Sequence, residues 1–341
     1  MFKLATFWKW LYSDWEVSIE QQIPGYTILL PVPGDLPVFL KIALETCSTQ
    51  KNDNLVESII LPDKSVSGFA ELLKDWESKH FLSPIRLINP QPFEQLISRY
   101  QNNPHNNHWL QLIRGINATR TTHALLHDAD LFITQDEFMK AHYQTCNQKN
   151  LACLGVSPVW DTWYKEKGIK HLTATWEMMF SLEWARSFRP WEHRGHNSEI
   201  AGNTHTFDTT LYTQCHTPAE RISYQHKEWG FIHFNYVICT YRWFQKSKGT
   251  FEDESFRILL IRLLINAFDD SAWKYYVPEV DELVKGITDT SNCVTYTQQK
   301  TRENYREFRS KLQMLIDSPI LNDDKATILS EGACNFDRAF Y

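Results

Sequence analysis

His123-Ala124-Leu125-Leu126-His127-Asp128-Ala129-Asp130-Leu131-Phe132 decides how the rest of this 341-residue chain is read. Ala124 to Leu126 is a short apolar run that predicts a buried strand. It closes in Asp128 and Asp130, and apolar residues resume at Leu131, Phe132 and Ile133. In extended chain, residues i and i+2 face the same way, so the two acids would converge. Two carboxylates about 4 Å apart repel by roughly 4 kcal/mol at an effective dielectric near 20. A divalent cation with oxygen ligands turns that cost into binding. A solvated turn or a helix cap is the plainer account of so short a motif.

Upstream, the chain alternates strands and helices. Tyr26 to Leu30 is an apolar strand broken by Pro31-Val32-Pro33-Gly34-Asp35, and Leu36 to Cys47 has helical periodicity. Leu55 to Leu61 predicts a second strand, ending at Pro62-Asp63. Ser67 to Lys79 predicts a helix, Ile85 to Ile88 a third strand, and His108 to Thr119 a helix that feeds the strand before Asp128. Such alternation implies an α/β domain with a mainly parallel sheet. Ligands of these sheets bind outside the carboxyl ends of the strands. Pro31 to Asp35, Asp63 and the Asp128/Asp130 pair all fall there. No G-x-G-x-x-G follows the first strand and no G-x-x-x-x-G-K-[ST] occurs, which speaks against a dinucleotide site or a Walker loop.

The totals bound the function classes. Hydrophobic residues make up 43% of the chain, enough for a large core. The net charge of −6 speaks against a nucleic-acid partner. Seven scattered Cys without a C-x-x-C pair fit reduced thiols and a cytoplasmic address. No apolar run reaches the roughly 18 residues of a membrane span. Ile258 to Phe268 is short and contains Arg262. Phe2, Leu4, Phe7, Trp8, Leu11, Tyr12 and Trp15 lie near helical spacing. They suit either an amphipathic arm packed on its own domain or a helix resting on the inner face of a membrane through residues 2–15.

The order of these pieces resembles a glycosyltransferase of the GT-A fold, and is most similar to the family-2-like group. The resemblance rests on I-L-L-P-V-P-G-D-L-P from Ile28, on I-I-L-P-D-K-S around Asp63, and on R-G-I-N-A-T-R-T-T-H-A-L-L-H-D-A-D from Arg114 to Asp130. It covers residues 25 to 245. It implies a GT-A-type, Rossmann-like, mainly parallel sheet flanked by helices; beyond its reach, Trp273 to Tyr341 reads as mostly helical and charged, a C-terminal extension or cap. The domains then expected are an N-terminal arm (1–24), a nucleotide-sugar-binding catalytic domain (25–250) and a mostly helical C-terminal region (251–341).

The resemblance also implies residue roles. Asp130, and Asp128 directly or through water, would hold Mn2+ or Mg2+ on the diphosphate of a nucleoside-diphosphate sugar. His233, in G-F-I-H-F, stands where such enzymes supply a further metal ligand. Pro31, Pro33, Asp35, Asp63, Arg114 and Asn117 fall in the donor-binding positions. F-D-T-T-L matches the family's E-D-x-x-L motif at Asp208 and Leu211, with Phe207 in place of the acidic neighbour. Asp208 is therefore the candidate base for an inverting displacement, and Glu177 the reserve.

Each role has a plain counterpart. Asp208 also suits a helix cap before Thr209 and Thr210, Glu177 a surface or paired acid, and His233 a core histidine. His193, His196, His205 and Cys215-His216 lack zinc spacing and read as a polar acceptor-side loop. Trp160, Trp163, Trp176 and Trp191 suit sugar stacking or core packing. The expected function is transfer of a sugar to a glycan, lipid-linked or other hydroxyl acceptor in surface polysaccharide or related glycan synthesis. The alternatives are a non-catalytic glycan- or partner-binding module of the same fold, and a nucleotidyltransferase.

Overall fold

The computed structural model describes residues 11–16, 22–50, 53–80, 83–101, 103–225, 230–249, 254–291 and 299–340. The chain gathers into two compact units. One holds residues 1–34, 47–129 and 135–230, the other 35–46, 130–134 and 231–341.

The first unit is built on a seven-stranded sheet. Its strands are β1 (Ile23–Val32), β2 (Leu55–Pro62), β3 (Ile85–Leu87) and β4 (Thr121–Leu126). After β5 (Leu131–Ile133), which lies in the second unit, come β6 (Cys153–Gly155) and β7 (Met178–Ser181). A small hairpin, β8 (Ser198–Ile200) and β9 (Asn203–His205), precedes β10 (Ile222–Tyr224). The order across the sheet is β10-β6-β7-β4-β1-β2-β3. Every neighbouring pair is parallel except the two that β7 makes with β4 and β6. The α/β class expected from strand–helix alternation, a mainly parallel sheet flanked by helices, is the one observed.

β1 lies between β2 and β4 and is buried from Tyr26 to Val32, which is why its sequence is a near-continuous apolar run. The helix Pro104–Ala118 packs on the sheet at Gly115. A Cβ there would come within 2.8 Å of Leu61 and 3.0 Å of Leu29. Asn103 caps this helix by accepting from the His105 amide at 3.0 Å, and Pro104 opens it. Leu11, Tyr12 and Trp15 are buried in the same core, and Trp15 donates to the Phe188 carbonyl at 2.8 Å. These three residues thus follow the packed-arm reading. Phe2, Leu4, Phe7 and Trp8 lie outside the described residues.

The second unit is mostly helical. Most of the helix Pro37–Ser48 belongs to it, with helices Val237–Lys246, Phe256–Phe268, Val280–Ser291, Gln299–Ile316 and Asp323–Phe340. Phe256–Phe268 is apolar almost all round because it is buried almost all round. Its Arg262 is accommodated by the carbonyls of Val277 and Pro278 and by Glu279. The helix begins at Phe256, and Glu254 just ahead of it pairs with Arg257; residues 251–253 lie outside the described residues. Tyr305 stacks on Phe340 with ring centroids 4.2 Å apart, and Arg309 bonds Asp337 at 3.1 Å. No helix among the described residues is long and apolar enough to cross a membrane.

Candidate active site

Three of the parallel strands, β1, β2 and β4, end at one edge of the first unit's sheet, and Asp63 and Asp128 follow two of them. β1 runs out at Val32, and the Asp63 amide, just past β2, donates to the Val32 carbonyl at 3.1 Å. The Asp63 carboxylate accepts from the Gly34 amide at 3.0 Å, tying the two strand ends together. Gly34 is confined here by the Lys64 carbonyl, which a Cβ would meet at 2.3 Å. Gln111 braces the same edge from the helix beneath, donating to the carbonyls of Val32 (3.0 Å) and Leu61 (2.5 Å). Pro31 and Pro33 are buried in this corner.

β4 stops at Leu126, so Asp128 and Asp130 sit in the turn that follows rather than in extended chain. Directly after it, β5 pairs antiparallel with β11 (Phe231–His233), with His233 opposite Leu131. That register sets the His233 ring beside Asp130, with Nε2 3.2 Å from Oδ1. The other oxygen, Oδ2, accepts from the Val237 amide at 3.2 Å. Asn235 and Tyr236, between His233 and Val237, both adopt left-handed backbone at φ 56° and 59°. Such conformations cost of order 1–3 kcal/mol and gather at functional sites. Burial works to raise the Asp130 carboxyl, but His233 and the Val237 amide outweigh it, so the group is held below its ordinary value.

Ligand atoms of Asp128, Asp130 and His233 lie within 4.8 Å of one another. No other three His, Cys, Asp or Glu side chains come together in this way among the described residues. Two carboxylates and an imidazole are a hard-to-borderline donor set that fits Mn2+ or Mg2+.

Other expected site residues stand elsewhere. Asp35 accepts from Arg242 (3.0 Å), Gln245 (2.9 Å) and Tyr241 (3.3 Å) of the helix Val237–Lys246. Arg114 is buried, its guanidinium spent on Glu94 and on the Pro62 carbonyl at 2.6 Å. It holds the strand end next to Asp63. Asn117 lies in the last turn of the helix Pro104–Ala118, just before β4 starts, and so at the opposite edge of the sheet from Asp63. Glu177 is fully buried, with φ 46° and its Oε2 2.6 Å from His127 Nδ1. His127 immediately precedes Asp128, so this pair anchors the root of the acidic turn.

Asp208 does not open a helix; Leu211–Cys215 begins three residues later, after Thr210 at φ 71°. Its side chain is 39% exposed and bonds His105 Nδ1 at 2.9 Å. Burial acts to raise the Asp208 carboxyl. The hydrogen bond and charge of His105, the Thr209 amide and His108 prevail and hold it below the usual aspartate value. Phe207 is fully buried, with ring centroids 5.2 Å from His205 and 5.8 Å from Trp163. An acid at 207 would be desolvated among rings, a physical reason for the departure from the family motif.

The remaining histidines have separate partners. His193 bonds the Ala185 carbonyl at 2.7 Å, and His205 stacks on Trp163 at 4.0 Å and pairs with Asp161 at 3.0 Å. Trp163 is thereby engaged, and Trp160 is the more exposed ring at 46%. His105, Glu94 and Gln111 were not singled out by sequence, because each acts on a residue far along the chain.

No protein-family model matches the sequence, and no curated protein matches it. Solved structures it resembles include the mannosyltransferase PcManGT from Pyrobaculum calidifontis in complex with GDP-mannose and Mn2+. That likeness has 11% identity and a TM-score of 0.41 over 97% of this chain and 87% of that one. S. aureus TarS 1–349 in complex with UDP-GlcNAc gives 9% identity and a TM-score of 0.38 over 93% and 89%. Glucosyl-3-phosphoglycerate synthase from Mycobacterium tuberculosis, with Mn2+ and UDP, gives 10% and 0.32 over 47% and 58%. Identities and scores of this size leave the function to be read from the chain's own side chains.

Proposed function

We propose that the protein is a metal-dependent glycosyltransferase of the GT-A type, moving a hexose from a nucleoside-diphosphate sugar to a hydroxyl acceptor. The carrying observation is the group Asp128, Asp130 and His233, two acids directly after a central strand and an imidazole set beside them by the β5–β11 register. Asp128, Asp130 and His233 are the residues that would hold Mn2+ or Mg2+. A divalent ion there supplies charge neutralisation for a diphosphate leaving group. Asp63, just past β2 and bonded at Oδ1 by the Gly34 amide, would accept from the nucleoside.

Asp208 is the base in this reading. It takes the proton of the acceptor hydroxyl as that oxygen bonds to the anomeric carbon and the bond to the diphosphate breaks, with inversion. Glu177 serves better as an anchor for His127 than as the reserve base, because it is buried and paired. The catalytic region is assigned to residues 25–250 and the helical region to 251–341. The acceptor in this reading is a glycan, a lipid-linked or another hydroxyl acceptor of surface polysaccharide or related glycan synthesis, with the protein acting at the cytoplasmic side.

The test is a thermal-shift panel of UDP, GDP, dTDP and CDP, with and without Mn2+, on wild type and Asp130→Ala. A ligand at 100 times its Kd adds about 2.7 kcal/mol to the native state. Stabilisation by one diphosphate that requires Mn2+ and is lost in Asp130→Ala supports the transferase. Absence of any shift would sink the metal-diphosphate site and favour a non-catalytic binding module.

A further inference from the structure

Asp208 is held by a side chain more than a hundred positions away. Its Oδ1 receives two hydrogen bonds, from His105 Nδ1 at 2.9 Å and from the Thr209 amide at 2.7 Å. Nδ1 must carry the hydrogen, because a carboxylate only accepts. The other oxygen, Oδ2, accepts nothing from the described residues, and the side chain is part-exposed. One oxygen is therefore locked and the other is presented outward.

Both partners are rigidly placed. His105 stands in the first turn of the helix Pro104–Ala118, its own amide bonded to Asn103. Asp208 stands at a corner fixed by the Thr210 amide donating to the His193 carbonyl at 2.7 Å, with Thr210 strained at φ 71°. A β-branched residue in that region is an outlier that the surroundings must enforce.

We propose that His105 is the positioning residue of the catalytic base: the base is a His105–Asp208 pair, held by the Nδ1–Oδ1 hydrogen bond. This rests on the transferase reading above. During transfer, the acceptor oxygen bonds to the anomeric carbon while the bond to the diphosphate breaks, its electron pair leaving with the nucleotide. The acceptor's proton goes to Asp208 Oδ2 and then to solvent, and His105 keeps its own proton throughout. Other groups facing the pair are His108 one turn along the same helix and Tyr164 of the helix Thr162–Glu166. His196 faces His105 with ring centroids 6.5 Å apart, and Arg194 lies near His196.

The experiment uses the full chain as wild type, His105→Ala, His105→Gln and Asp208→Asn. Two readouts are taken: the titration of the Asp208 carboxyl carbon by NMR, and the pH profile of nucleoside-diphosphate release from UDP-glucose, UDP-GlcNAc and GDP-mannose with Mn2+. Asp208→Asn is expected to lose about 10²–10⁴-fold in turnover. His105→Ala is expected to move both the carboxyl titration and the acid limb of the rate profile to higher pH, with donor KM unchanged. His105→Gln, which restores a neutral donor, is expected to move them part of the way back. A titration that does not move in His105→Ala overturns the pair, whatever the sugar nucleotides do. A titration that moves without the acid limb following overturns the catalytic role. Wild type inert with all three donors overturns the transferase reading instead, and the NMR titration still decides whether His105 governs Asp208.

Discussion

Removing Glu94 should be among the costliest single polar deletions in the first unit, and the structure sets the size. The Glu94 carboxylate accepts from Tyr12 OH at 2.6 Å, from the Gln91 amide at 2.9 Å and from the Arg114 guanidinium. Arg114 is only 4% exposed, and its remaining described partner is the Pro62 carbonyl. Glu94→Ala strands that charge in the core, which typically costs 3–5 kcal/mol. For a body of roughly 200 residues this is a fall in Tm of about 6–20 °C, read by calorimetry. The double variant Glu94→Leu/Arg114→Met should recover much of the loss, since a buried pair replaced by apolar side chains is often neutral. A Glu94→Ala Tm within about 2 °C of wild type would refute the buried network, because only a solvent-screened pair is that cheap to break. The double variant also separates structure from ligand binding. If a nucleoside diphosphate stabilises the wild type but not the folded double variant, Arg114 serves the donor after all, as the resemblance implies.

Two further outcomes are expected. Gly34→Ala would drive a Cβ against the Lys64 carbonyl at 2.3 Å and dislodge the amide that holds Asp63. It should lower stability by about 2 kcal/mol and weaken any diphosphate-induced thermal shift, and an unchanged shift would count against Asp63 as a donor contact. Burial lowers His142 and His193 to about 4 in the folded chain, so the unfolded chain protonates first as pH falls. The stability that goes with keeping each ring neutral is complete above about pH 6.5 and is lost down to about pH 4, on the order of 3 kcal/mol for each. A Tm that stays flat from pH 6.5 to 4.5 would contradict that burial.

How far the sequence could be read depended on the range of the interaction. β1, β2 and β4 are readable because strand residues buried on both faces are mostly apolar, as Ile28–Leu30, Ile59–Leu61 and Ala124–Leu126 are, while half-buried Glu57 marks the start of β2. Asp63 and the Asp128/Asp130 pair were readable for the complementary reason: a charge at the end of such a run needs a partner, and strand ends are where ligands come. Roles that depend on which distant side chain arrives were hidden. Arg114 has the position of a donor-site cation in the motif, yet Glu94, twenty residues earlier, claims it. Asp35 likewise looks like a loop acid open to a ligand until Arg242 and Gln245 close on it.

Phe207 shows how packing decides which residue type a position next to a candidate site residue can carry. Read along the chain, replacing an acid by phenylalanine beside Asp208 removes a charge that the family motif provides. In space, position 207 points into a ring cluster where a carboxylate would be desolvated, so the apolar residue is what that backbone accommodates. The polar partner enters instead from the helix that begins at Pro104, where the Asn103 cap fixes His105 in the first turn. A cap signal and a lone histidine say nothing of Asp208 in sequence, and the pairing is set only when the corner at Thr210 turns Asp208 toward them. The two halves of the pair therefore make opposite demands. His105→Ala should leave the fold of the helix intact, because the Asn103 cap bonds its backbone amide, while changing the protonation of a residue 103 positions away. A variant that instead melted the helix would place the cost in the backbone and leave the carboxylate without a dedicated partner.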